Sequence, residues 1–442
     1  MKMLIANGRV IDPESGFDGL ADLMTEDGRI TRIWRRDTAG GPSGSGEALG
    51  GDGKEAVRVI DAAGLIVAPG LVDVHVHFRD PGLTWKEDIA TGAAAAKAGG
   101  YTTVVCMANT KPAADTPEVI RYITEKGRET GIHVLAAAAV TKGLKGQELT
   151  EMQALAESGA AGFTDDGIPL MNEALVKKAM EEAKRLNLPL SFHEEDPAFI
   201  VNNGIHQGAV SERMGLGGSP ALAEDALVAR DCMIALHTGA RVNIQHISSA
   251  NSVKMVGLAK ELGADVWAEV TPHHFSLDET AVLEYRTLAK MNPPLRTAAD
   301  RSALIEGLKD GTIDMIATDH APHSMEEKRK QLTEAPSGII GLETALALGI
   351  TELVEKGYLT MAQLIRKMSF CPAELYHLDG GRMNVGAPGD LVIFHPEEEW
   401  TVGEFHSKSS NSPFVGWKLK GKVKWTICGG KVVYKSSEVL QN

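Results

Sequence analysis

His75 and His77 stand one residue apart at the end of an apolar run, residues 65–76, that Pro69-Gly70 interrupts. Along a β-strand, residues i and i+2 project to the same side. Two imidazoles at the tip of a buried strand are therefore half of a metal site. Zinc suits imidazole and carboxylate together, at about 2.0–2.2 Å per ligand. An isolated His-x-His arises by chance, so the reading depends on its company. Four later strand-like segments also end in ligand-type residues: Asp165-Asp166 after Phe163-Thr164, His193 after residues 189–192, His246 after residues 242–245, and Asp319 after residues 316–318. Taken singly, His193 or His246 is more often a packed, satisfied histidine. A lone strand-end aspartate is usually a cap or turn residue. Together they describe a metallohydrolase site. Asp319, placed across the pocket from His75 and His77, can bind metal and exchange a proton with an attacking water. Either Asp165 or Asp166 can bridge two ions about 3.5–4 Å apart, and spacing does not choose between them.

Such a set works only if the fold gathers it. From about residue 66 to 370, strand-like and helix-like segments alternate. Eight strands are predicted, at 70–78, 101–108, 133–140, 161–164, 189–193, 241–247, 265–270 and 313–318. Most are near-continuous apolar runs, as expected of parallel strands covered on both faces. Helices are predicted at 85–98, 117–130, 172–186, 220–238 and 251–262, with Asn172 and Asn251 as N-caps and Gly99, Gly131, Gly239 and Gly263 as stops. Eight such units point to an α/β fold, a (β/α)₈ TIM-type barrel, whose C-terminal strand ends all converge on one pocket. A doubly wound open sheet is the alternative, but it gives no reason for ligands on so many strand tips. Short alternating strands at both chain ends read as one small composite β-sandwich. The expected domains are 1–66 with 384–442 for the sandwich and 67–383 for the metal-dependent catalytic barrel. A glycine-rich stretch at 39–54 reads as a mobile surface loop without chemistry.

Composition narrows the partners. The chain has 442 residues and a net charge of −14, which repels phosphate backbones and anionic lipid. Neither nucleic acid nor membrane is expected as a partner. An anionic substrate would need a local positive spot, which a metal with one arginine could supply. Cys106, Cys232, Cys371 and Cys428 are too scattered for a zinc knuckle or a disulfide framework, which fits a reducing cytoplasm. The N-terminus reads as a strand and turn rather than a signal peptide, and no apolar run is long enough to span a bilayer. His206, His237, His377, His395 and His406 read as surface or packing residues, and His133 starts the third strand at the end away from the chemistry. His273 and His274 could line the pocket. The charged stretch 326–330 reads as a solvated loop, although the 324–336 segment follows Asp319 closely enough to act as a lid.

Pro69-Gly70-Leu71-Val72-Asp73-Val74-His75-Val76-His77-Phe78-Arg79-Asp80-Pro81-Gly82 resembles the first signature of the dihydroorotase family, within the amidohydrolase superfamily. Ile316-Ala317-Thr318-Asp319-His320-Ala321-Pro322-His323 resembles its second. Met107-Ala108-Asn109-Thr110, Glu269-Val270-Thr271-Pro272-His273-His274 and Lys290-Met291-Asn292-Pro293-Pro294-Leu295-Arg296 are similar to blocks of the bacterial branch with the longer chain. The likeness runs from about residue 3 to 434. It implies zinc, one or two ions with two expected, on His75, His77, Asp166, His193, His246 and Asp319. It picks Asp166 over Asp165 as the bridge and Asp319 as the catalytic residue. Hydantoinases and dihydropyrimidinases bridge their metals with a carboxylated lysine, and no lysine stands here. Substrate contacts are implied at His77, Phe78, Arg79, Asn109, Asn292, His323, Ser337 and Gly338. Ala108 replaces a common proline, and Ser337 stands where a bulkier residue is usual. The implied reaction is reversible, zinc-dependent hydrolysis of dihydroorotate to N-carbamoyl-L-aspartate, the ring closure of de novo pyrimidine (UMP) synthesis. Rival readings are a hydantoinase- or allantoinase-type cyclic amidohydrolase and a non-catalytic barrel that scaffolds aspartate transcarbamoylase. Expected partners are the small-molecule substrate, further copies of the chain, and, as an open alternative, aspartate transcarbamoylase.

Overall fold

A computed structural model describes residues 2–36 and 57–437; the glycine-rich stretch at 39–54 lies outside the described residues. The apolar runs form eight parallel strands, Leu71–Val76, Tyr101–Cys106, His133–Ala138, Gly162–Thr164, Leu190–Phe192, Val242–Ile244, Val266–Val270 and Met315–Ile316. They pair in chain order, and each falls inside its predicted segment. The last strand returns to the first. His77 N–H donates to the His320 carbonyl at 2.9 Å, Val76 and His320 form a parallel bridge, and the Thr318 N–H meets the buried Asp73 carboxylate at 3.2 Å. The sheet is thus a TIM-type barrel, closed partly through a side chain. Closure makes the eighth strand a neighbour of the first, so Asp319 sits beside His77 rather than across the pocket from it.

Helices Pro117–Arg128, Glu173–Leu186 and Ala221–Thr238 match expectation. Asn172 caps the second by accepting from Leu175 N–H, and Gly239, at φ +66°, ends the third in the left-handed region. Two starts differ. Helix Ala250–Glu261 is capped by Ser249, whose hydroxyl accepts from Asn251 N–H, while the Asn251 side chain reaches Asp225 instead. Helix Ile89–Ala98 begins at the Asp88 cap, four residues later than predicted, because residues 79–86 form turns of their own. Those turns place Lys86 near the pocket.

Strands Lys2–Asp12, Phe17–Glu26, Arg29–Arg35, Val57–Asp61 and Ile66–Pro69 join Leu391–Thr401, Lys418–Cys428 and Lys431–Lys435 in a second eight-stranded sheet. Lys2–Asp12 pairs with Phe17–Glu26 on one edge, and on the other with Val57–Asp61 and then Ile66–Pro69. A register shift between Ile5 and Gly8 bends it. Met3, Ile5, Leu23 and Ile60 share one core with Val67, Leu391, Ile393 and Ile427, so the two chain ends enclose a common interior. Ile66–Pro69 pairs with Leu391–Thr401 and runs through Gly70 into the first barrel strand. A Cβ at Gly70 would lie 2.2 Å from Thr102 Oγ1, so no side chain fits there. The strand that carries the two histidines is held at its foot by this sheet. His133 is at the same end, 3.0 Å from Asp390 and away from the pocket.

Candidate metal centre

The strand tips bring the six sequence-predicted ligands into one cluster. His75 Nε2 lies 3.3 Å from Asp166 Oδ1 and 3.5 Å from Asp319 Oδ1. His77 Nε2 lies 3.0 Å from Asp319 Oδ1 and 3.4 Å from Asp166 Oδ2. On the other side, His193 Nδ1 and His246 Nε2 are 2.9 Å apart and within 3.8 Å of Asp166 Oδ1. The ligand atoms form two compact groups, His75–His77–Asp166 and Asp166–His193–His246, and Asp166 belongs to both. Asp165 turns away and accepts from Val140 N–H at 2.7 Å, Thr141 N–H at 3.1 Å and the Thr141 hydroxyl. These donors hold Asp165 outside the cluster, while Asp166 lies within it.

The cluster has the character of a cation site. His75 Nε2 is buried and has no hydrogen-bond partner, although the Asp166 and Asp319 carboxylates lie 3.3 Å and 3.5 Å away. Imidazole nitrogen with carboxylate oxygen is a zinc-type donor set. The backbone is strained where it matters: Arg79, His246 and Asp319 have φ of +59°, +33° and +47°. Non-glycine residues there cost roughly 1–3 kcal/mol each and persist only where the surroundings hold them.

A second layer aims the ring nitrogens. Glu269, fully buried on the seventh strand, has Oε1 2.5 Å from His75 Nδ1 and 3.3 Å from His246 N–H, and Oε2 2.9 Å from Asn243 Nδ2. Asn109 Oδ1 takes His77 Nδ1 at 2.9 Å, and its Nδ2 donates to Asp166 Oδ2 at 3.2 Å. Glu195 Oε2 lies 3.4 Å from His193 Nε2. Such partners fix the tautomer and leave the opposite nitrogen free to ligate. Burial opposes charge on His75, yet Asp166, Glu269 and Asp319 outweigh it and hold its pKa well above the ordinary imidazole range. Burial also opposes ionisation of Asp166 and Asp319, and His75 with the neighbouring imidazoles holds both well below the usual carboxylate range. The site is built to hold positive charge.

Above the cluster is a cavity of about 200 Å³ whose wall includes Arg79, Asn109, Asn292, His323, Ser337 and Gly338. Asn292 Nδ2 lies 3.3 Å from His193 Nε2, and its buried Oδ1 has no partner. Arg79 Nε donates to the Pro322 carbonyl at 3.3 Å. His323 does not offer its N–H to the cavity: Nε2 is 2.9 Å from the Ser337 carbonyl, and Nδ1 faces Lys86 Nζ at 3.1 Å. Phe78, which the resemblance placed among the contacts, is buried in the main core and packs on Gly92 and His320 instead of lining the cavity. His273 and His274 are buried but do not line it either; His274 is tied to Thr271 and to the Pro293 carbonyl. The 326–330 charges are not all solvated. Lys328 is 3 % exposed and donates to the Pro336 carbonyl, and Glu327 pairs with Lys86 at 2.8 Å. Sequence reasoning assigned no role to Glu269 or Lys86. The signal for Glu269 was a carboxylate inside an apolar strand, a residue too costly to bury without a task.

Comparison with known proteins agrees with this geometry. Residues 64–252 match a family model described as dihydro-orotase-like. The chain is 56% identical over 434 residues to a dihydroorotase of Clostridioides difficile, covering 98% of this chain and all of that one. It is 48% identical to a dihydroorotase of Lactococcus lactis, covering 99% of this chain and all of that one. Among solved structures, the L-hydantoinase of Arthrobacter aurescens superposes with a TM-score of 0.85 at 26% identity, over 99% of this chain and 97% of that one. A D-hydantoinase from Thermus sp. superposes with a TM-score of 0.82 at 24% identity, over 100% and 97%, a likeness of fold.

Proposed function

The chain belongs to the dihydroorotase family, and from that premise we propose that it interconverts (S)-dihydroorotate and N-carbamoyl-L-aspartate, the ring closure of pyrimidine synthesis. The observation that carries this reading is Arg79 on the wall of a small cavity whose floor is the six-ligand cluster. The substrate is a cyclic amide that bears one carboxylate. Arg79 can grip that carboxylate through two parallel hydrogen bonds. Asn292 Oδ1, buried and unpartnered, can accept a ring N–H. His75, His77, Asp166, His193, His246 and Asp319 would hold zinc, two ions with Asp166 shared. When bound, zinc lowers the pKa of a water toward about 7 and polarises the ring carbonyl. Asp319, in contact with both His75 and His77, takes the proton of the attacking water and delivers it to the amide nitrogen as the C–N bond breaks. Asn109 keeps His77 and Asp166 in place during the reaction.

Asp166, not a carboxylated lysine of the kind expected in hydantoinases and dihydropyrimidinases, belongs to both ligand groups, and a neutral hydantoin ring gives Arg79 no task. A scaffold barrel has no need of all six ligands. Residues 67–383 serve as the catalytic barrel, with 1–66 and 384–442 as its support. The four cysteines are unpaired, which supports a cytoplasmic setting, and no described helix is long and apolar enough to cross a membrane. A homo-oligomer, with or without aspartate transcarbamoylase, completes the proposal. Assay of the zinc-loaded chain on dihydroorotate, hydantoin and allantoin side by side tests it. Dihydroorotate is expected to dominate; preferential turnover of either other ring contradicts it.

A further inference from the structure

Lys86 lies in the turns after the first barrel strand and is 9 % exposed. Its Nζ is 3.1 Å from His323 Nδ1 and 2.8 Å from Glu327 Oε1. An ammonium has donors only, so Nδ1 must accept and the proton of His323 must sit on Nε2. That proton points at the Ser337 carbonyl, 2.9 Å away. Glu327 Oε2 meanwhile accepts from Ser324 N–H at 3.0 Å. A single chain of contacts thus runs from the start of the 324–336 segment, through Lys86 and His323, to the residue that follows its end. Two further buried lysines pin that end: Lys290 Nζ donates to the Ala335 carbonyl at 2.7 Å and Lys328 Nζ to the Pro336 carbonyl at 2.9 Å. Arg79 Nη2 is 3.4 Å from His323 Nε2, so the same chain borders the guanidinium.

We propose that Lys86 is a positioning residue that couples the 324–336 segment to recognition of the substrate carboxylate, a role that rests on the reading of Arg79 as the carboxylate's partner. Lys86 does not line the cavity. It acts through His323, which it holds in one tautomer and one place against Ser337, and through Glu327, which it ties down. Arg79 and Lys86 both face His323, so this corner offers cationic groups to an anion in a protein of net charge −14.

The test uses the zinc-loaded enzyme and the variants Lys86→Met, Lys86→Arg and Glu327→Gln, each checked for metal content. Loss of one charge-assisted anchor should raise KM for dihydroorotate by about tenfold or more in Lys86→Met, with kcat changed by less than about threefold. Lys86→Arg should recover most of the loss. The inhibition constant of dihydrouracil, the same ring without its carboxylate, should stay at the parent value in all three. Hydrogen exchange across 324–336 should speed up in Lys86→Met and Glu327→Gln. A parental KM in Lys86→Met, or equal weakening toward the charged and the neutral ring, overturns the proposal. If Lys86→Met does not fold, unchanged KM and exchange in Glu327→Gln overturn it equally. A parent without any dihydroorotate turnover overturns the function it rests on, before any variant is read.

Discussion

Glu269→Gln isolates how much of the centre depends on a carboxylate that touches no substrate. Glu269 Oε1 serves His75 Nδ1 and His246 N–H, while Oε2 serves Asn243 Nδ2. The amide can keep its oxygen toward His75 and turn its nitrogen toward Asn243. That nitrogen meets a partner if Asn243 flips, because Asn243 Oδ1 is buried and unpartnered. The substitution therefore removes a charge with little loss of hydrogen bonding or volume. The charge is one of three that raise the basicity of His75, after Asp166 and ahead of Asp319. Loss of a partner of this kind costs roughly 10- to 100-fold in metal affinity, or about 1.4–2.8 kcal/mol. Competition against a chromophoric zinc chelator reads the affinity, and circular dichroism with a melting curve checks the fold. Zinc affinity equal to that of the parent, in a folded variant, refutes the claim that Glu269 tunes the metal through His75.

Three further outcomes are expected. Asp319→Asn should lower turnover by roughly 10³-fold or more while most of the zinc stays bound, because two imidazoles and Asp166 still surround each position; near-normal activity would remove Asp319 from proton transfer. Arg79→Ala should lower kcat/KM for dihydroorotate by roughly 100-fold, and parental hydrolysis by that variant would show that the carboxylate binds elsewhere. Burial, then Lys290, brings the pKa of Lys328 down to about 7, whereas an unfolded lysine titrates near 10.4. Between those values the unfolded chain binds more protons, so this residue makes stability rise with pH. The melting temperature of the parent minus that of Lys328→Met should increase from about pH 7 to about pH 9.5, and a flat difference would place an unshifted lysine there.

The barrel was legible because its signals are local. Apolar runs, caps and glycine stops lie within a few residues of one another, and all eight strands fall where periodicity put them. The His75–His77 pair was legible for the same reason, since a period of two needs only one strand. What the sequence concealed lies in contacts between distant segments. His75 and Glu269 are 194 positions apart, and Lys86 and His323 are 237 apart. Asp319 was expected across the pocket because chain order does not reveal that closure makes the first and last strands neighbours. The charges at 326–330 looked solvated because no local pattern shows that Lys328 and Glu327 fold back onto Pro336 and Lys86. Asn251 lost the cap to Ser249 because Asp225, on a different helix, competes for its side chain.

The central claim is that six side chains distant in order hold zinc in one centre and that the reaction needs it. Zinc content and dihydroorotate turnover, measured on the same isolated chain before chelation, after chelation and after zinc is restored, test it most directly. The account predicts up to about two zinc ions per chain, loss of turnover as they leave, and recovery as they return. Full turnover by the metal-free chain would contradict it.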